Sequence, residues 1–383
     1  MTPTPPDAMT TDELIGRMLM FGLRGAGPSD PIFRADLEAC RSARVGGVIL
    51  FDVHLPEFTR RVQGGDPPAS AKAHAARNII SRDQAAALAA EVRSALGADA
   101  IISIDQEGGD GDTGVARLNP RRGFVPTPTH EALSRMSPSE RAAALATLVA
   151  DVRAVGCDLN FSPCVDAKVN PESPVIAKKQ RCLGSDADHI AALAIEITGA
   201  HTRAGVLSCL KHFPGHGSAE GDTHSGFVDI TRTWRADPEL AVYHALLPRV
   251  HPGWTLVMPG HVFHAQIDPD HPASLSRAHI HGMLRGVLGF EGVVVTDSLD
   301  MGAVTGRYGR DEALLLAINA GADILLDGVN APAEDTPHPA PLAHEAIARA
   351  LRDGRIVGGE SRLRESARRI ARLQRWSNPA TMR

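Results

Sequence analysis

The stretch KHFPGHGSAEGDTH, residues 211 to 224, gathers three histidines and three glycines around Lys211, Glu220 and Asp222. Apolar periodicity stops there, so the stretch reads as a loop. A loop this dense in polar groups is a place for chemistry or for a metal. Asp222 and His224 stand two residues apart. That spacing lets the carboxylate hold the imidazole, fix its proton and raise its pKa toward the range useful for acid–base work. Asp297 follows the apolar run GVVVT, which delivers it rigidly to the end of a buried strand. A strand-end carboxylate with a carboxylate–histidine pair suits covalent attack coupled to proton transfer.

Other chemistries fit less well. His212, His216, His224 and His261 with Asp222 offer zinc ligands, but neither HExxH nor tight His/Cys spacing accompanies them. No GxSxG elbow is present, since GSAEG misplaces its serine, and GxxxxGK[ST] is missing. Neither a metal nor a cofactor is expected.

The elements that must position these groups are short apolar runs at 17–23, 46–50, 100–105, 157–163, 206–212, 255–261, 292–297 and 322–328. Most are apolar throughout, the pattern of strands buried on both faces and therefore parallel. Helices lie between them. Ser81 caps one, with Gln84 at the capping-box position and Gly97 as the stop. Ser137 caps another, with Pro138 in the first turn, Glu140 at the box position and Gly156 as the stop. This alternation predicts a (β/α)8 TIM-type barrel, an α/β fold in one domain over 1–383, with a doubly wound sheet as the rival. No GxGxxG follows the first strand, which weakens a dinucleotide-binding version of that rival. Residues 60–76 and 327–344 read as surface loops, with inserts expected at 52–76 and 329–341. In a parallel barrel the strand-end residues form the site, here Asp105, Arg181, Lys211, His212, His261 and Asp297.

Composition narrows the partners. The 383 residues are 43% hydrophobic but only 4% aromatic, so aliphatic side chains must fill the core. The net charge of −5 comes without a Lys/Arg run, which argues against nucleic acid. The N-terminus lacks a basic start and an apolar stretch, so neither a secretory leader nor a membrane span is expected and the cytoplasm is the predicted compartment. The five cysteines form no CxxC pair and are expected as buried reduced thiols. The terminal SRLRESARRIARLQRW reads as an amphipathic basic helix packed onto the body.

Taken together, IDQEGG…VARL, KHFPGHG…DTH and VVTDSLDMGAV give a chain that resembles glycoside hydrolase family 3, specifically its single-domain β-N-acetylglucosaminidases. The resemblance implies a retaining hydrolase of terminal β-linked N-acetylglucosamine, acting as a monomer on peptidoglycan fragments. It implies Asp297 as nucleophile and His224 held by Asp222 as acid/base. Other branches take a glutamate from a second domain, for which 383 residues leave no room. Asp105, Arg117, Arg181, Lys211 and His212 fall on the family's sugar-binding positions, while Phe213 and His216 are expected as structural. A phosphorylase using the same dyad, a β-glucosidase on the same scaffold, and a sugar-binding protein on a catalytically dead scaffold are the rivals. Three departures stand out: Asp110 and extra residues before Val115 where the family places an arginine, IAKKQRCLG two residues longer than usual, and the 52–76 interruption.

Overall fold

The computed structural model describes residues 4–330 and 336–377. Its central sheet has seven parallel strands: β1 (Leu19–Gly22), β2 (Gly47–Leu50), β3 (Ile101–Ile104), β4 (Leu159–Asn160), β5 (Leu207–Phe213), β6 (Thr255–Pro259) and β7 (Leu325–Asp327). They pair in the order β7-β1-β2-β3-β4-β5-β6. The gap between β6 and β7 is filled by residues 293–296, which join through parallel bridges from Val257 to Val294 and from Val295 to Ile324. The eight expected strand positions are therefore all occupied, and the sheet closes on itself as a barrel rather than remaining open.

The side chains explain the closure. Met20, Ile49, Ile101, Leu207, Leu256, Val295 and Leu326 belong to one buried cluster, formed by the faces of the strands that point inward. The alternate faces, with Leu19, Val48, Ile102, Leu210, Val257 and Val294, pack in a second cluster with the helices. Strands buried on both faces are apolar on both, as the sequence pattern requires.

The helices follow their caps. Arg82–Leu96 starts at Ser81, whose hydroxyl accepts the Gln84 N–H, and stops at Gly97 with a φ of 99°. The Gln84 side chain does not complete a capping box; it accepts from the Ile80 N–H and donates to Asn78 O. Pro138–Ala154 carries the complete Ser137–Glu140 box. The C-terminal helix Gly359–Ser377 buries Leu363, Ala367, Ile370 and Leu373. Among the described residues no helix is long and apolar enough to cross a membrane. All five cysteines are buried and free.

The stretch 60–76 is not a loop. Two short helices, Leu55–Gln63 and Pro68–His74, occupy it. They need few large apolar residues: prolines sit in their first turns, and Glu57 pairs with Arg60 and Arg61, three and four residues on, both at 2.6 Å. In the other expected loop, Ala340–Arg352 is helical, and residues 331–335 of that insert lie outside the described residues.

Candidate active site

The barrel gathers its polar strand ends at one mouth. Asp105 leaves β3 and a hairpin, Gln106–Gly109 with Gly114–Ala116, returns the chain to Arg117. Arg117 lies 3.5 Å from Asp52 and 3.8 Å from Asp105. Lys211, buried on β5, pairs with Asp105 and lies 2.8 Å from Glu107. Arg181 grips Glu107 with two hydrogen bonds of 2.9 and 2.7 Å. Cation and carboxylate thus alternate along Arg117, Asp105, Lys211, Glu107 and Arg181. Burial alone would raise the Glu107 pKa; Arg181 and Lys211 outweigh it and hold the carboxyl well below its usual range. Hydrogen bonds fix Glu107 on Arg181 and Asp105 on Lys211, while Arg117 is held by the longer ion pairs alone.

The register of β5 against β6 shifts between Lys211 and Phe213. Such irregularities re-aim side chains, and the consecutive residues Lys211 and His212 both line the cavity. His212 Nδ1 lies 2.6 Å from Asp166, whose other oxygen accepts the N–H groups of His212 and His216 at 3.1 and 2.8 Å. Burial opposes the charge on Asp166, but the field of His212 and these donors more than offset it, leaving its pKa depressed. With Nδ1 engaged, His212 Nε2 faces the Arg181 guanidinium at 3.4 Å.

The Asp222–His224 pair rides on the loop after β5. Asp222 Oδ1 lies 2.7 Å from His224 Nδ1 and accepts the His224 N–H at 2.8 Å. The His224 side chain is 64% exposed, leaving Nε2 as the ring nitrogen without a bond to Asp222. The Asp222 hydrogen bond raises the His224 pKa against the opposing effect of desolvation. The loop is held from two sides. Gly302 and Ala303 donate their N–H groups to the His224 and Thr223 carbonyls at 3.2 and 3.1 Å. The Thr223 hydroxyl lies 3.3 Å from His216 Nε2.

Asp297 follows the closing segment and is half-buried. Burial would raise its pKa, but the fields of His261, His212 and His224 and the Ser298 N–H at 2.8 Å bring it below the usual value. His261 is itself braced between the Ser274 hydroxyl and the Ser298 carbonyl at 2.7 and 2.8 Å.

Asp105, Arg117, Arg181, Lys211, His212, His224 and Asp297 all line one cavity of about 300 Å³. Asp222 stands behind His224. Phe213 is fully buried, edge-on to Tyr243 with ring centroids 5.1 Å apart, a packing position. His216 has a double place: it lines the cavity and braces the dyad loop. Burial lowers its pKa to about 4, so it is neutral near neutral pH.

The histidines weighed as zinc ligands do not converge. Among the described residues, the group that does converge is Cys164, Asp166 and His212, with ligand atoms within 4.8 Å of one another. Its atoms are already bonded together: the Cys164 thiol donates to Asp166 Oδ2 at 3.2 Å and His212 shares that oxygen.

Sequence reasoning missed Glu107, Asp166 and Asp52. Glu107 lies two residues after Asp105, and Asp166 ends the run following β4. Both carry the strand-end signal. Asp52 stands two residues after β2, at the start of the segment read as an insert.

The glycosyl hydrolase family 3 N-terminal domain matches residues 10–373. Beta-hexosaminidases from Neisseria meningitidis serogroup B and Chromobacterium violaceum are each 32% identical, over 65% and 77% of this chain and 68% and 81% of those proteins. A glycoside hydrolase family 3 beta-N-acetylglucosaminidase from Paenibacillus superposes with a TM-score of 0.79 at 32% identity, covering 97% of this chain. This chain spans only 63% of that longer one. A beta-N-acetylhexosaminidase from Beutenbergia cavernae gives a TM-score of 0.78 at 26% identity, with 96% and 98% of the two chains covered. The family match over residues 10–373 and relatives at 32% identity establish that the chain belongs to glycosyl hydrolase family 3.

Proposed function

We propose that the protein is a retaining β-N-acetylglucosaminidase that removes terminal β-linked N-acetylglucosamine. The observation that carries this reading is the meeting, in one cavity, of a carboxylate held ionised, Asp297, with a histidine held by a carboxylate, His224 on Asp222. In the first step an Asp297 oxygen attacks the anomeric carbon. The glycosidic C–O bond breaks, and His224 Nε2 gives its proton to the leaving oxygen. In the second, His224 takes a proton from water, whose oxygen attacks the same carbon and releases Asp297. Two displacements preserve the β configuration. Asp222 stabilises the imidazolium that exists before the first step and re-forms in the second, and it orients the neutral ring between them. Asp105, Lys211, Arg181, Arg117 and His212 would bind the sugar hydroxyls and acetamido group from the network beneath.

Water is the acceptor in this reading. Arg117, Arg181 and Lys211, the lysine and arginines lining the cavity, are each paired with carboxylates. That leaves little cationic attraction for a phosphate anion. By its resemblance, the enzyme would act as a monomer on peptidoglycan fragments; the apolar Val53, Leu55, Val115 and Val175 lining the cavity favour a less polar leaving group. The deciding experiment measures 4-nitrophenol release from the N-acetyl-β-glucosaminide and the β-glucoside, with and without phosphate. We expect the N-acetyl substrate to lead in kcat/KM without phosphate stimulation. Equal use of the glucoside, or a sugar 1-phosphate as product, overturns the reading.

A further inference from the structure

The three departures from the family pattern are far apart in sequence but touch in space. Lys72, on the second short helix, forms a 2.6 Å ion pair with Asp112 and donates to the Gly111 carbonyl at 3.3 Å. The Gly114 N–H donates to the Lys179 carbonyl at 3.0 Å, and Lys179 Nζ reaches the Asp112 carbonyl at 3.4 Å. The segment 110–114 therefore pins the first insert to the third, and the three make one continuous rim along the β2, β3 and β4 side of the mouth.

The rim sorts its side chains by chemistry. The charges that hold it together, Lys72, Asp112 and Lys179, do not line the cavity. Apart from Arg181, which belongs to the polar network on Glu107, the residues it presents there are apolar: Val53 and Leu55 from the first segment, Val115 just after the second, Val175 before the third and Ile176 at its start. They continue the surface of Phe51, the residue after β2. Leu55 is 45% exposed, a cost to a free surface that a bound apolar group would relieve. The polar network around Lys211 and Asp297 lies deeper. A glycoside held there, with its leaving oxygen toward His224, must send its aglycone out through the mouth, between the rim and the dyad loop.

We propose that the rim is an aglycone-binding wall, selecting β-N-acetylglucosaminides whose leaving group presents an apolar alkyl or aryl surface beside the glycosidic oxygen. The inference rests on the hydrolase reading above and adds the class of leaving group to it. A plain sugar leaving group presents mainly hydroxyls, for which Val53, Leu55, Val115 and Val175 provide no partner.

The test compares methyl and hexyl N-acetyl-β-glucosaminides. Their leaving alcohols have similar acidity, so the demand on His224 is the same and apolar contact is the variable. Burial of about two methylene groups is worth roughly tenfold. We expect hexyl to exceed methyl by at least that in kcat/KM, mainly through KM. In Leu55→Asp the hexyl-to-methyl ratio should fall toward one, and in the milder Leu55→Ala to an intermediate value. Equal wild-type values for the two glycosides overturn the proposal. So does a Leu55→Asp or Leu55→Ala variant that lowers both substrates by the same factor, which would put the wall against the sugar ring. Release of 4-nitrophenol from the N-acetyl-β-glucosaminide by the wild-type protein, run in parallel, reports on the hydrolase reading separately from the ratio.

Discussion

His224 and Asp297 are tuned in opposite directions, and both shifts serve the same reaction. Asp297 lies below its usual pKa of 3.8 and His224 above its usual 6.5. The proposed reaction starts with Asp297 ionised and His224 protonated. The kcat/KM profile should therefore be a bell whose acid limb lies below, and whose alkaline limb lies above, those usual values. In Asp222→Asn the hydrogen bond to a charged partner is lost, so the alkaline limb should move to lower pH while the acid limb stays. A profile with neither limb moved would detach Asp222 from His224. Leaving-group dependence offers a second check. His224→Ala should lose about 10²–10⁴-fold on a disaccharide but much less on a 4-nitrophenyl glycoside, whose phenolate needs little protonation. A uniform loss across leaving groups would assign His224 to loop capping. Asp297→Ala should remove several orders of magnitude from every substrate, and a variant retaining more than about a tenth of activity contradicts a covalent role, since one decade is only ~1.4 kcal/mol of barrier.

The dyad loop depends on an element distant from it in sequence. A Cβ placed on Gly302 would come within 2.7 Å of the His224 carbonyl oxygen and 2.9 Å of the Ser225 carbonyl carbon. Only a bare backbone allows the loop to seat on the turn that follows Asp297, so His224 and Asp297 are set relative to each other by main-chain contact. Gly302→Val should push the loop outward. Because the nucleophile's strand is not displaced, the loss should be largest on substrates with basic leaving groups, the same selectivity as His224→Ala but smaller. The measurement is the ratio of disaccharide to 4-nitrophenyl turnover. An unchanged ratio would mean that the loop does not need this seat.

At the far end of the barrel the whole molecule is tied by one buried carboxylate. Asp323 accepts from Arg285 at 2.7 Å, Ser366 at 2.7 Å and the Val294 N–H at 3.0 Å, with Arg369 at 3.2 Å and Arg362 at 3.4 Å. It thereby joins the C-terminal helix to the segment that closes the barrel. Burial opposes its charge, yet the three arginines leave its pKa depressed. Asp323→Ala would strand those arginines and should cost about 3–5 kcal/mol in denaturant unfolding. Asp323, Asp166 and Glu107 are all carboxyls with depressed folded pKa values. Their contribution is complete above the unfolded value of about 4 and is lost as pH falls toward the folded ones. Thermal midpoints should therefore hold near neutrality and drop below about pH 4. A midpoint flat down to pH 3 would contradict that linkage.

Local patterns were sufficient for a large share of this molecule. Strands buried on both faces must be apolar throughout, so all eight positions could be read from runs such as GVVVT, and the strand ends then pointed to Asp105, Lys211 and Asp297. The His224–Asp222 contact was legible because two residues apart on a turn is already a contact distance. Tertiary structure decided what depends on partners distant in the chain. Glu107 and Asp166 are ordinary carboxylates in sequence; their place in the site comes from Arg181 and Lys211 in one case and His212 in the other, each more than forty residues away. The helices at 55–74 were hidden because charge pairs and prolines, rather than an apolar stripe, form them. The rim joining Lys72, Asp112 and Lys179, and the seat of His224 on Gly302, exist only once the closed barrel has brought its loops around a single mouth.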